Sequence, residues 1–167
     1  LMQLRGVGRQ LALLFADIDD FKRVNDTLGH DVGDEVLIQF ANRIREAVER
    51  AGGQASELAR FGGDEFVILL HSEGDHGDIR GSAAHLAETL VAELSRPIVV
   101  QDRQVFLGTS IGVTLFPEDA SGATMLMKNG DIAMYQAKVA GKNCYRFYSR
   151  AMDQAVTRRA PIEQDLR

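Results

Sequence analysis

The sequence predicts an α/β fold in which helices pack on a mixed central β-sheet. One continuous apolar run, Leu11–Ala16, is typical of a strand that is buried on both faces. Further along, segments with apolar residues at helical spacing alternate with short β-type segments. Alternation of this kind around one hairpin indicates helices layered on a sheet. In chain order the predicted elements are β-α-α-β-β-α-β-β-α-β.

Each element is predicted from its own side-chain pattern. Strands are assigned to apolar or β-branched runs bounded by turn residues, and helices to segments with apolar residues three and four positions apart. The elements are a strand at 11–16, a short helix at 19–28, a helix at 31–50, strands at 58–61 and 65–70, a helix at 82–94, strands at 98–100 and 104–115, a helix at 122–140 and a strand at 145–148.

Glycines and polar residues mark the ends of these elements. Gly52-Gly53 ends the long helix at 31–50, and Gly62-Gly63-Asp64 predicts the tight turn of a hairpin. Ser82 is the predicted N-cap of the next helix, which stops before Pro97. Gly141 is expected to cap the helix at 122–140.

Two glycines lie inside a predicted strand. Gly108 and Gly112 interrupt the strand at 104–115, where they indicate a close approach of another backbone.

Composition excludes several classes of protein. The chain has 167 residues, of which 45% are hydrophobic and 26% charged, as in one globular domain. Its net charge of −5 argues against a general nucleic-acid binder. The single cysteine, Cys144, excludes an internal disulfide and a Cys-rich zinc site. No apolar run approaches the roughly 18 residues of a membrane span, and there is no Walker-type phosphate loop.

Acidic residues follow the first strand and occupy the hairpin tip. Asp17 and Asp19 lie at the strand end, and Asp64 and Glu65 at the turn. If the hairpin pairs beside the first strand, Asp17 and Asp64 converge. Two carboxylates with backbone carbonyls and water suit Mg²⁺. Taken singly, each acid is more typical of an ordinary solvated turn than of a metal site.

Polar and basic residues elsewhere fit a nucleotide. Lys22 suits a phosphate, while Asn25 and Asp34 together offer the donors and acceptors that match a guanine edge. Lys138 and Lys142 lie four positions apart at a helix end and suit a terminal phosphate. The alternatives are a surface lysine, helix-capping residues, and lysines that stabilise a helix dipole.

Six short motifs follow one another along residues 10–148. They are FADIDDFK at 15–22, VNDTLGH at 24–30 with GD at 33–34, RFGGDEF at 60–66, SIGV at 110–113, FPED at 116–119, and AMYQAK at 133–138 with GKN at 141–143. Together they resemble the GGDEF family of diguanylate cyclases. The resemblance implies the fold of nucleotide cyclases and polymerase palms, with a ferredoxin-like core.

The resemblance also implies an activity. The family condenses two GTP into cyclic di-GMP and two pyrophosphates with Mg²⁺, for which Mn²⁺ can substitute. Each subunit of a homodimer holds one GTP, and each 3′-hydroxyl attacks the α-phosphate held by the other subunit. Such transfer depends on charge neutralisation and in-line positioning.

The resemblance assigns metal and catalytic roles by position. Asp17 and Asp64 supply carboxylates and Ile18 a carbonyl to the metal, and Asp64 is also the general base. Lys22 and Glu65 complete the catalytic set, Lys22 as a phosphate contact that stabilises transition-state charge.

Substrate roles follow in the same way. Gly62 and Gly63 let the turn backbone approach the phosphates, where a Cβ would obstruct. The implied substrate-binding positions are Phe21, Lys22, Asn25, His30, Asp34, Gly62, Gly63, Lys138 and Lys142.

The sequence departs from the family at the product site. Many relatives carry Arg-x-x-Asp just upstream of the glycine turn, where this chain has Gly53 and Ser56. Because an arginine fork grips phosphate, we expect no product inhibition there. Tight cyclic di-GMP binding that is lost on mutating these positions would contradict this.

The resemblance also suggests a domain layout. We expect a GGDEF domain at 1–149 and a linker helix at 150–167 leading to a missing C-terminal EAL phosphodiesterase domain. The family's usual lead-in is absent before Leu1, so we expect a piece of a longer protein with an upstream sensor. The implied location is cytoplasmic, also as part of a membrane-tethered protein.

Three functions remain open from the sequence. The first is an active cyclase, favoured by an intact motif. The second is a catalytically silent GTP-binding module that controls an attached EAL domain. The third is a product-sensing or partner-binding scaffold. Turnover distinguishes the first from the others, and GTP binding without turnover marks the second.

Overall fold

The sheet is organised around its first strand. The computed structural model describes residues 10–51, 56–72 and 78–153. Its elements are β1 (Leu11–Ile18), α1 (Phe21–Leu28), α2 (His30–Ala51), β2 (Ser56–Arg60), β3 (Glu65–His71), α3 (Ile79–Leu94), β4 (Ile98–Val100), β5 (Arg103–Val105), β6 (Thr109–Phe116), α4 (Ala123–Val139) and β7 (Cys144–Phe147).

Five strands form a mixed sheet in the order β2-β3-β1-β6-β7. β1 is antiparallel to both β3 and β6, and β7 is parallel to β6. The register places Asp17 opposite both Glu65 on β3 and Ser110 on β6. The carboxyl end of β1 therefore lies beside the β2–β3 turn and the start of β6.

Helices cover both faces of the sheet. Ala12 and Leu14 of β1 belong to one apolar cluster with side chains of α2 and α3, whereas Leu13 and Phe15 pack with side chains of α4. Every residue of β1 is buried, which explains why its sequence is continuously apolar rather than alternating.

Gly112 allows α4 to lie close on β6. A Cβ at this position would overlap the Gly130 carbonyl oxygen and the Met134 nitrogen of α4. The close backbone approach expected at Gly112 is confirmed.

The single strand predicted at 104–115 is wrong. Its first part, β5, pairs with β4 in a separate two-stranded sheet, and only β6 enters the main sheet. Between them Gly108 has a different partner, because its carbonyl oxygen accepts the Asp19 N–H at 2.9 Å. The chain thus changes sheets at a point where its apolar pattern does not change.

The predicted N-cap Ser82 is also wrong. α3 begins at Ile79, and the Asp78 carboxylate caps it by accepting the Gly81 N–H at 3.0 Å. The Ser82 N–H donates to the Asp78 carbonyl oxygen, so Ser82 lies within the first turn.

Some predictions fall at the limits of the described residues. Gly52 and Gly53, predicted to end α2, lie outside them, as do residues 154–167 of the predicted linker. Of that linker, 150–153 are helical. No helix in the described ranges is both long and apolar enough to cross a membrane.

Candidate active site

The end of β1 and the turn between β2 and β3 bring two carboxylates together. Asp17 is the penultimate residue of β1, and Asp64 lies in the turn before β3. The Ile18 N–H donates to the Asp64 carbonyl oxygen at 3.1 Å. The Asp64 carboxyl group also raises the pKa of Asp17, so the two acids interact. The convergence expected from the sequence is therefore present.

A lysine from α4 joins these acids. Lys138 Nζ lies 2.8 Å from Asp17 Oδ2 and 3.4 Å from Asp19 Oδ1. Lys138 occupies the last turn of α4, which faces the sheet through Gly112. The close packing of α4 on β6 thereby positions the Lys138 ammonium group beside the two acids.

Burial alters the ionisation of this cluster. Burial, joined by the nearby Asp64, raises the pKa of the Asp17 carboxyl, and the Lys138 ammonium lowers it; the net pKa is about 7. Burial alone would lower the pKa of Lys138, but Asp17 and Asp19 outweigh it and the pKa is raised. Lys138 is thus held as a cation, and the Asp17 carboxylate needs a positive partner.

The acids fit a divalent cation. Asp17 Oδ1 is buried and has no hydrogen-bond partner among the described residues. An unpartnered buried carboxylate oxygen is costly, and a hard cation would satisfy it. The described ranges hold no cluster of three or more His, Cys, Asp or Glu side chains suited to a metal. Remaining ligands would come from carbonyls, water or phosphate, as is usual for Mg²⁺.

A second lysine lies in the turn after α4. Lys142 Nζ contacts Asp20 Oδ1 at 2.7 Å, and this pair is more exposed than that of Lys138. Lys142, Asn143 and Asp20 all have positive φ values, of 66°, 50° and 58°. Two lysines from the end of α4 therefore face two acids that follow β1.

The glycine turn of the hairpin is held by an arginine. Arg60 donates to the carbonyl oxygens of Gly62 and Gly63, with its shortest contact 2.8 Å from Nη2 to Gly63. A Cβ on Gly63 would meet open space, whereas one on Gly62 would meet the Glu65 carboxylate at 2.9 Å. Open space for an approaching ligand is thus found at Gly63, and Gly62 instead makes room for Glu65.

A cavity of about 440 Å³ lies between α2 and the hairpin. Leu37, Leu58 and Phe66 give it an apolar wall, and Asp34 and Arg60 are its charged side chains. The size is that of a small-molecule pocket. An apolar wall with a carboxylate suits a flat ring that has hydrogen-bond donors on its edge.

Other predicted positions surround these groups. Asn25 on α1 packs so closely on Gly33 of α2 that a Cβ there would overlap its amide. Lys22 and His30 are exposed. The Phe21 side chain is buried in the core, so a substrate contact at this position would come from its backbone.

Sequence reasoning missed the roles of Arg60, Asp19 and Ser110. The position of Arg60, directly before the glycine turn, is a sequence signal that could have indicated its contact with the turn. Asp19 is marked by its place at the end of the first strand, but nothing in the sequence pairs it with Ser110 and Asn143, which lie 91 and 124 residues away in the chain.

Comparison with known proteins agrees with this geometry. A family model described as "Diguanylate cyclase, GGDEF domain" matches residues 1–144. The chain is 40% identical over 159 residues to the bifunctional diguanylate cyclase/cyclic di-GMP phosphodiesterase MucR of Pseudomonas aeruginosa, covering 95% of this chain and 22% of that protein. It is 37% identical over 165 residues to the cyclic di-GMP phosphodiesterase NbdA of the same species, covering 99% of this chain and 20% of that protein. The chain thus spans about a fifth of these curated relatives.

Solved structures show the same fold. The GGDEF domain of TpbB from Pseudomonas aeruginosa matches with a TM-score of 0.79 and 35% identity, over 89% of this chain and 83% of that one. The predicted α/β fold class, a cyclase-palm sheet flanked by helices, is confirmed. With the family match over most of its length, the chain belongs to the GGDEF family of diguanylate cyclase domains.

Proposed function

We propose that this domain is a diguanylate cyclase that condenses two GTP into cyclic di-GMP and two pyrophosphates. The observation that carries the proposal is the convergence of Asp17, Asp64 and Lys138 at the end of β1. The hairpin that supplies Asp64 also forms one wall of the 440 Å³ cavity. A phosphate-handling centre and a pocket for a base thus share one structural element.

The acids would hold Mg²⁺, with Mn²⁺ as a second hard ion that suits oxygen ligands. Asp17 and Asp64 would bind it through carboxylates and Ile18 through its carbonyl. When bound, the ion neutralises phosphate charge and lowers the pKa of the attacking hydroxyl. The unpartnered Asp17 Oδ1 supports this assignment.

The reaction consists of two equivalent transfers, and each transfer requires one proton acceptor and an in-line arrangement. The 3′-oxygen of one GTP forms a bond to the α-phosphorus of the other, and the bond from that phosphorus to pyrophosphate breaks. Asp64 accepts the hydroxyl proton, and Glu65 beside it belongs to the same catalytic set. Lys22 contacts the phosphates and stabilises the developing charge.

Two groups of residues would bind the nucleotide. Lys138 and Lys142 would hold the terminal phosphate, supported by their position at the end of β1. Asn25 and Asp34 would read guanine and His30 would add a contact nearby, supported by the carboxylate of Asp34 in the cavity. Phe21 would contribute its backbone N–H, and the open space at Gly63 admits the phosphates, with Gly62 completing the turn.

The same proposal sets the partners of the domain. Since one domain holds one GTP, two copies must face each other as a homodimer. Relatives such as MucR combine the two opposing activities, so we propose an attached EAL domain and an upstream sensor in the whole protein. Because GTP is an intracellular nucleotide, we place the domain in the cytoplasm.

The test is turnover at high protein concentration. The protein is incubated with GTP and Mg²⁺, and chromatography detects cyclic di-GMP. We expect product from the wild type and at least about a hundredfold less from Asp64→Ala, which loses a metal ligand and a base. Glu49→Ala, an exposed acid on α2, is the control and should retain full activity.

One alternative has support of its own. NbdA is named as a phosphodiesterase, yet a segment of it is 37% identical to this chain. This similarity to a phosphodiesterase is consistent with a GTP-binding domain that is catalytically silent and regulates an EAL domain. Tight GTP binding by a dimeric wild type that yields no cyclic di-GMP would replace the cyclase proposal with this one.

A further inference from the structure

One acid near the site has no role in the proposed chemistry. Asp19 follows the last residue of β1, and only 4% of its surface is exposed. A carboxylate that is so deeply buried needs several donors to offset its lost hydration. The groups that donate to Asp19 belong to β6, to α4 and to the turn between α4 and β7.

Three protein donors converge on its two oxygens. Ser110 Oγ donates to Asp19 Oδ1 at 2.6 Å, and Lys138 Nζ lies 3.4 Å from the same oxygen. The Asn143 N–H donates to Oδ2 at 2.9 Å. Asp19 therefore faces inward onto protein groups, whereas Asp17 leaves Oδ1 unpartnered. Asp17 and Asp19 therefore differ in what they can bind, although both lie at the end of β1.

The contact to Asn143 falls at a strained point of the backbone. Lys142 and Asn143 are consecutive non-glycine residues with φ values of 66° and 50°. Left-handed conformations of such residues cost free energy and persist only when their surroundings hold them. The buried Asp19 carboxylate stabilises this backbone conformation by accepting the Asn143 N–H, directly next to Lys142.

We propose that Asp19 is a positioning residue for the terminal-phosphate clamp, acting on Lys138 through an ion pair and on Lys142 through the backbone of its turn. The inference rests on the proposed function, in which both lysines bind the terminal phosphate. Asp19 itself touches neither nucleotide nor metal. Its removal should therefore affect the third phosphate selectively, and should leave recognition of the base intact.

The experiment compares two nucleotides that differ in the terminal phosphate. An α,β-methylene analogue of GTP, which cannot be cyclised, and the matching GDP analogue are titrated calorimetrically with Mg²⁺. For Asp19→Ala we expect the affinity for the triphosphate to fall about tenfold, the size expected for losing charged hydrogen bonds. Affinity for the diphosphate should change less than about twofold.

A matched control separates positioning from general stability. Asp119 is a half-buried carboxylate that accepts a hydrogen bond from the Leu115 N–H at 2.9 Å, at the opposite end of β6. Asp119→Ala should lower the melting temperature and leave the triphosphate-to-diphosphate affinity ratio unchanged. An Asp19→Ala protein that folds and keeps the wild-type ratio would overturn the inference.

Asp19→Asn covers the case in which the alanine variant does not fold. Its amide oxygen can accept the Asn143 N–H, but its NH₂ group repels the Lys138 ammonium. We expect a smaller fall in the ratio, about threefold, and an unchanged ratio would refute the positioning role. A wild type that binds neither analogue would refute the proposed function itself, before any Asp19 variant is considered.

Discussion

Single residues act on this domain in two ways, through close packing at the candidate site and through burial away from it. Asn25 and Gly33 illustrate the first effect, because the amide of one occupies the space where the other lacks a side chain. Tyr148 illustrates the second. The sequence marks Asn25 through its motif, but the dependence on Gly33 is a contact between two helices that no local pattern records.

Gly33→Ala should weaken nucleotide binding without unfolding the protein. The new methyl group would overlap the Asn25 amide and come within 3.3 Å of the Phe21 ring, so Asn25 must move. Alanine favours a helix by about 1 kcal/mol over glycine, which offsets part of the strain. We expect about tenfold weaker binding of the GTP analogue. Gly122→Ala, whose Cβ meets open space, should bind like the wild type.

Tyr148 should make stability depend on pH in the alkaline range. Burial and the hydrogen bond to the Asp153 carboxylate together raise the pKa of Tyr148 to about 12. Because the pKa in the folded state exceeds the ordinary value of 10.0, the folded state binds the proton more tightly. The stabilisation is complete below pH 10 and is lost as the pH rises towards 12.

Urea unfolding between pH 9 and pH 12 measures this effect. The free energy of unfolding of the wild type should fall across the range, and that of Tyr148→Phe should fall less. Parallel slopes for the two proteins would show that Tyr148 does not carry the dependence.

Whole elements are positioned by contacts that the sequence predicts unevenly. The strand at β1 and the helices α2 and α4 follow from apolar runs and spacing, because those patterns reflect burial directly. The division between β5 and β6 does not, since it depends on the Gly108 carbonyl, whose partner is the distant Asp19 N–H. In the same way Asp78, rather than Ser82, caps α3, because the helix begins at Ile79 in a largely polar segment that has no helical apolar pattern.

Gly112→Ala should separate α4 from β6. Its Cβ would overlap backbone atoms of Gly130 and Met134, which cannot rotate away as a side chain can. Overpacking typically costs 1–3 kcal/mol, and for a backbone overlap we expect about 3 kcal/mol or more. Chemical denaturation measures the loss. Gly122→Ala, at the start of α4 in open space, should cost less than about 1 kcal/mol, and equal losses in the two variants would contradict this reading.

At the scale of the whole molecule, one domain presents half of the proposed reaction centre. The two carboxylates, the lysines and the cavity all lie at one end of the sheet, around the β2–β3 hairpin and the end of β1. The sequence predicts the meeting of Asp17 and Asp64, because these acids lie at the end of a strand and at the tip of a hairpin.

Turnover should therefore depend on protein concentration. While the domain is mostly monomeric, doubling its concentration should raise the rate of cyclic di-GMP formation about fourfold, because two half-sites must meet. Rates measured over a dilution series, with sedimentation of the same samples, test this. A rate that stays proportional to concentration while the protein sediments as a monomer would exclude reaction between two copies.

The central position of β1 also has a consequence for rigidity. Hydrogen bonds to β3 and β6 hold both of its edges, and apolar clusters cover both of its faces. Amide protons in such a strand exchange with solvent only through opening of the whole domain, so its protection reports global stability. Asp17 is the penultimate residue of this strand. The end of the strand that carries this proposed metal ligand is thus preorganised, and little conformational entropy would remain to be lost there on binding.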